Sequence, residues 1–208
     1  LYLPYAQLHG DAWTGFALSN HDGSSSSSVT ITAYDKQGTV LETKTETIAP
    51  GGQTTVLLSP NQAGEGWAKV VASSPLQGVG LIGSTQTDKP MFDLDLQTSL
   101  HKTLRVSHVD TTAGQWQSLA MLCNPGSSSA AVNILYKAQN GTAPLAPKAL
   151  TIAAQGSTVV NLNELGTPSG LAGGSLGITS TQPLAGFLLY DSTGYGGNNR
   201  AGLSMTSP

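Results

Sequence analysis

Ala72-Ser73-Ser74-Pro75-Leu76-Gln77-Gly78-Val79-Gly80-Leu81-Ile82 returns further along the chain as Ser180-Thr181-Gln182-Pro183-Leu184-Ala185-Gly186-Phe187-Leu188-Leu189-Tyr190. Each copy reads as an apolar strand, a turn set by the proline, a glycine three residues on, and a second apolar strand. Pro75 and Pro183 stand 108 residues apart in a chain of 208, which therefore reads as one duplicated unit. The expected units are 1–98 and 103–208, joined by a connection too short to let them swing freely.

Working outward, the two copies match element by element. Trp116 answers Trp13, Asn124 answers Asn20, and Val132-Asn133-Ile134 answers Val29-Thr30-Ile31. Gly141 answers Gly38, and Ile152-Ala153-Ala154-Gln155-Gly156 answers Ile48-Ala49-Pro50-Gly51-Gly52. Ala201, Leu203 and Met205 take the places of Phe92, Leu94 and Leu96. The offset drifts between 103 and 109, which puts the insertions in loops, where length changes are tolerated.

Strand signals recur about every ten residues, with turn residues between them, and no stretch keeps a helical apolar period. Val29 to Tyr34 alternates apolar residues with threonine, the pattern of a half-buried strand. Pro4 suits an edge strand, and the polar run Thr39 to Ile48 reads as another edge. The serines Ser24 to Ser28 read as a flexible connection with nothing to bury. About eight short antiparallel strands per copy predict an all-β chain of two tandem immunoglobulin-like sandwiches, with a barrel as the alternative.

Opening strand, x-x-Trp, a strand ending in Asn, a glycine turn, then Pro-Leu-x-Gly before an apolar strand: this order resembles the tandem β-sandwich repeats of secreted bacterial proteins. The resemblance covers nearly the whole chain. It implies a non-catalytic surface or accessory module and carries over no functional residues. The copies also differ, with Ser175 standing where the first has Trp67.

Charged residues make up only 10% of the chain against about 25% in ordinary domains, and hydroxyls take their place. That suits an extracellular or periplasmic module of an exported protein. A net charge of −3 without a Lys/Arg cluster lacks the footprint of a nucleic-acid binder. No apolar run is long enough for a membrane-spanning helix. Cys123 is the single cysteine, so no internal disulfide forms, and its apolar neighbours make it a packed thiol.

Two motif matches fail on context. Gly78 to Gly83 spells G-x-G-x-x-G, but the glycines lie within one strand signal and no helix follows to cradle a phosphate. Gly173 to Gly177 spells G-x-S-x-G, yet no histidine follows it to complete a triad. His9, His21, His101 and His108 show no ligand spacing, and Asp88, Asp93 and Asp95 fit the polar side of an edge strand as well as a calcium site. No metal or cofactor is expected. Asn140-Gly141-Thr142 satisfies the glycosylation sequon and reads first as a hairpin turn.

The expected function is a non-enzymatic module for adhesion, protein contact or spacing, with a protein or glycan at a cell surface as partner. One alternative is a carbohydrate-binding module, in which Trp67, Tyr195, Asn198 and Arg200 supply the ring face and polar contacts. A hydrolase with a shallow site between the units is the other.

Overall fold

The alternation in Val29-Thr30-Ile31-Thr32-Ala33 folds as its period demands. Val29, Ile31 and Ala33 are fully buried, and the threonines between them face outward. The computed structural model describes residues 1–8, 10–58, 64–86, 91–111, 115–165, 173–192 and 199–207. His9, Asp88, Tyr195 and Asn198 lie outside the described residues.

The first half holds β1 (Tyr2–Gln7), β2 (Ala12–Asn20), β3 (Ser27–Asp35), β4 (Val40–Ile48), β5 (Gln53–Leu57), β6 (Glu65–Ala72), β7 (Leu76–Ser84) and β8 (Phe92–Asp95). The second holds β9 (His101–Val109), β10 (Gln117–Cys123), β11 (Ala130–Lys137), β12 (Lys148–Ile152), β13 (Ser157–Asn161), β14 (Gly174–Asp191) and β15 (Arg200–Ser204). The first-half strands form two antiparallel sheets, ordered β1-β6-β3-β4 and β5-β2-β7-β8. Pro4 therefore sits on an edge strand beside a ladder irregularity, and β4 is the opposite edge.

The second half repeats this pairing with one change. β14 is a single strand doing the work of both β6 and β7: its first part pairs with β9 and β11, its second with β10 and β15. The turn expected at Pro183 is absent, because the rung His101↔Leu184 carries ladder pairing across the crossing between the sheets.

Side-chain bonds repeat as faithfully as strands. Asn20 Nδ2 donates to the carbonyls of Ser25, Ile48 and Ala49, and Asn124 Nδ2 donates to those of Ser128, Ile152 and Ala153. Both amides are buried, and each ties together three chain segments of its half. Thr14 Oγ1 donates to the Gln7 carbonyl, and Ser118 Oγ does the same to Asp110. The serine run is thus not a loose connection. Ser25 receives the Asn20 amide, and Ser27 is fully buried and opens β3.

One alignment shifts. By ladder register the rung of Trp13 opposite Gly83 corresponds to Gln117 opposite Asp191, so Trp116 stands one residue ahead of the true equivalent. The G-x-G-x-x-G stretch lies inside β7, where a side chain at Gly80 would strike Leu3 and one at Gly83 would strike Trp13. These glycines serve close packing.

The two halves share their interior. Alternate residues of β10 and the second part of β14 face opposite ways: Ala120, Leu122 and Leu188 enter the second-half core, while Met121, Phe187 and Leu189 join the core of the first half. This explains why Leu119-Ala120-Met121-Leu122-Cys123 reads as a continuous apolar run. Both faces of that sheet are buried.

Candidate functional site

Trp67 marks the seam. It sits on β6 facing away from the first-half core, and the second half covers it to 1% exposure against Cys123 and Ala185. Tyr34 stacks on the ring at 4.6 Å and 10°, and Tyr2 flanks it at 6.5 Å. The indole N–H donates to the Gln155 carbonyl at 2.6 Å. Trp67 therefore offers no face to a sugar, which corrects its assignment as a stacking platform. Nothing in the first copy alone could reveal this, because the covering residues belong to the second.

Arg200 is also spent. Its Nε donates to Asp191 Oδ2 at 3.1 Å, and its guanidinium lies 5.3 Å from the centroid of Phe92 on the other half. Beside it, Ser204 Oγ donates to Asp95 Oδ2 at 3.1 Å. Gln97 completes the seam: its side-chain amide donates to the Gly186 carbonyl and its Oε1 accepts from Gly186 N–H at 3.0 Å. Trp67, Gln97, Arg200 and Ser204 thus all make contacts across the seam.

A small cleft of about 220 Å³ opens between His108, Asp110, Trp116 and Tyr190. Tyr190 Oη donates to the His108 carbonyl at 2.7 Å and lies 2.9 Å from the same residue's Nδ1. With its one proton committed to the carbonyl, the hydroxyl accepts from the ring, which places the imidazole hydrogen on Nδ1. Burial, then the Asp110 carboxylate, pushes the Tyr190 phenol up to about 12. Trp116 meets Tyr190 edge-on at 6.4 Å, so the cleft is walled by aromatic edges.

A groove of about 820 Å³ runs over the outer face of β9, β14 and β11. Its outward residues stand in rungs: Thr103, Thr179 and Asn133 on one, then Arg105, Gly177 and Leu135, then Ser175 with Lys137. Pro147 rims one side and Leu203 the other. The matching rungs of the first half carry Tyr2, Lys69 and Thr32, then Trp67 and Tyr34, and this is the face the second half covers at Trp67. Equivalent surfaces thus have opposite fates. One is aromatic and sealed, the other cationic, hydroxylated and free.

These groove residues escaped the sequence reading. The signal was available in the alternation of His101-Lys102-Thr103-Leu104-Arg105-Val106-Ser107, where Leu104 and Val106 are buried and Arg105 and Ser107 exposed.

No protein-family model and no curated protein matches the chain. A crystal structure of Thermotoga maritima 1070 is similar at a TM-score of 0.43 and 16% identity, over 50% of this chain and 92% of that one. A likeness of that size carries no functional argument.

Proposed function

We propose that the chain is a pair of immunoglobulin-like units, 1–98 and 103–208, from an exported bacterial protein, acting as a non-enzymatic module for adhesion, protein contact or spacing. The repeated pairing order supports the two units. In each, the third and sixth strand equivalents pair centrally and the second and fifth pair in the facing sheet, as C with F and B with E in an immunoglobulin domain. The departure is that β1 lies beside β6 and β7 beside β2, so first and last strands have exchanged sheets relative to that fold.

The observation that carries the functional reading is the shared seam. A module that holds a distance or presents a surface gains from a fixed angle between its units, and Trp67, Gln97 and Phe187 are spent on fixing it. Spin labels at Ser25→Cys and Asn140→Cys, on exposed turns of the two halves, test this by electron–electron distance measurement. A single narrow distance distribution is expected. A broad one would remove the rationale for a spacer.

A second reading, a carbohydrate-binding accessory module, is favoured by the uncovered groove on β9, β14 and β11.

A further inference from the structure

Gly177 has no packing reason to be a glycine. It stands mid-strand in β14, where glycine forfeits side-chain packing and costs about 0.5–1 kcal/mol relative to alanine. Elsewhere in the second half the reason is visible: a side chain at Gly174 would strike Tyr136, at Gly186 Met205, and at Gly202 Phe187. Above Gly177 the space is open, with only the Leu135 carbonyl as close as 3.9 Å to a built Cβ. A bare backbone in the middle of a sheet face leaves room for something else to approach it closely. The first half has Lys69 at this rung.

The surroundings describe that occupant. Arg105 and Lys137 flank Gly177 on strands whose backbones run about 10 Å apart. Both are exposed, and neither has an ion-pair partner among the described residues. Among the described residues no carboxylate lines the groove; Asp95 touches only its β15 rim, through Ser204. Two cations with no ion-pair partner among the described residues, in a chain of net charge −3, select an anion. Around them stand hydroxyls and amides (Thr103, Ser107, Asn133, Ser175, Thr179), with Leu135 as an apolar floor and Pro147 and Leu203 as apolar rims. Multiple short hydroxyls around an apolar patch match the hydroxyls and C–H face of a sugar chain. An acidic peptide would instead seek a sheet edge, where main-chain groups are unpaired, whereas this groove crosses the face of a sheet.

We propose that the face of β9, β14 and β11 over Gly177 binds an acidic polysaccharide, with Arg105 and Lys137 taking its carboxylates. The inference rests on the carbohydrate-binding reading above and names its ligand class.

Isothermal titration of the full chain with polygalacturonate and alginate oligomers tests it, with dextran oligomers and poly-glutamate as controls. Both acidic sugars are expected to bind, with dextran and poly-glutamate weaker by about tenfold or more. Arg105→Gln and Lys137→Gln should each weaken binding about tenfold, as loss of a charge-assisted contact does, and more salt should weaken it further. Gly177→Leu should abolish binding while the Tm holds. If that variant does not fold, Gly177→Ala and the two surface glutamine variants decide.

Absence of binding to both acidic sugars overturns the proposal, as does equal binding of poly-glutamate. Unchanged affinity in a folded Gly177→Leu overturns it too. New reducing ends appearing during the titration would overturn the non-enzymatic reading alone, and the groove would stand if Gly177→Leu abolished them.

Discussion

The indole N–H of Trp67 ends on the carbonyl of Gln155, 2.6 Å away and across the boundary between the halves. Gln155 has φ 54° and is the one non-glycine residue with positive φ among the described residues. Its counterpart Gly51 adopts φ 63° in a turn with the same hydrogen bonds, Gly51 N–H to the Asp22 carbonyl matching Gln155 N–H to Gly126. This turn, repeated in each half, therefore has a second use in the second half, where it seals Trp67. Ser157 N–H reinforces it, donating to the Lys36 carbonyl at 3.1 Å.

Trp67→Ala should cost about 3–5 kcal/mol, the range for emptying a large buried aromatic site. Trp67→Phe should cost less, keeping the stack on Tyr34 while leaving the Gln155 carbonyl short of its donor. Urea unfolding checks both. A loss below about 1 kcal/mol for Trp67→Ala would mean the seam contributes little.

Gln155→Gly relieves a left-handed conformation that costs an ordinary side chain about 1–2 kcal/mol, offset in part by greater freedom of the unfolded chain. The expected result is a Tm equal to or above that of the native chain. Gly51→Ala should lower Tm by the opposite logic: the space there is open, so the effect isolates the backbone.

Asn20→Ala and Asn124→Ala should destabilise to a similar extent, about 2–3 kcal/mol or more, because each leaves three carbonyls without their donor. Similar costs at the two sites are expected from their matching partners. Chemical denaturation of each single variant measures it.

Alkaline stability follows from two phenols, the buried Tyr5 and the half-buried Tyr190. Burial first, then nearby Glu65, raises Tyr5, and burial with Asp110 raises Tyr190 from its ordinary 10.0 to about 12. The folded state thus holds these protons more tightly than the unfolded chain. Their contribution is complete below pH 10 and is lost as pH climbs through the folded-state values. Stability measured from pH 8 to 12 should fall above about 10, and Tyr190→Phe should reduce the fall. Burial raises the Cys123 thiol as well, so it should resist thiol reagents until the chain unfolds.

Much of the strand pattern was legible because local rules decide it. The turn at Pro75, the edge positions of Pro4 and the polar β4, and the inward Phe92, Leu94 and Leu96 all follow from alternation and turn chemistry, whereas the same signal at Pro183 lies inside a continuous strand. What the sequence hid is which faces become covered. Trp67 on β6 and Gly177 on β14 occupy outward positions in matching sheets, yet one is sealed by the other half and one faces a groove. Leu203 takes the rung of Leu94 but is 39% exposed on the rim of the groove, where Leu94 is buried in the first-half core. Periodicity assigns a residue to a side of its strand, and tertiary packing then decides what lies there.

The central claim is that the two halves share one interior and behave as one body. Differential scanning calorimetry of the whole chain tests it most directly. A single transition is expected, with equal calorimetric and van't Hoff enthalpies, and Trp67→Ala should lower or split it. Two resolved transitions in the native chain, neither moved by Trp67→Ala, would contradict the claim.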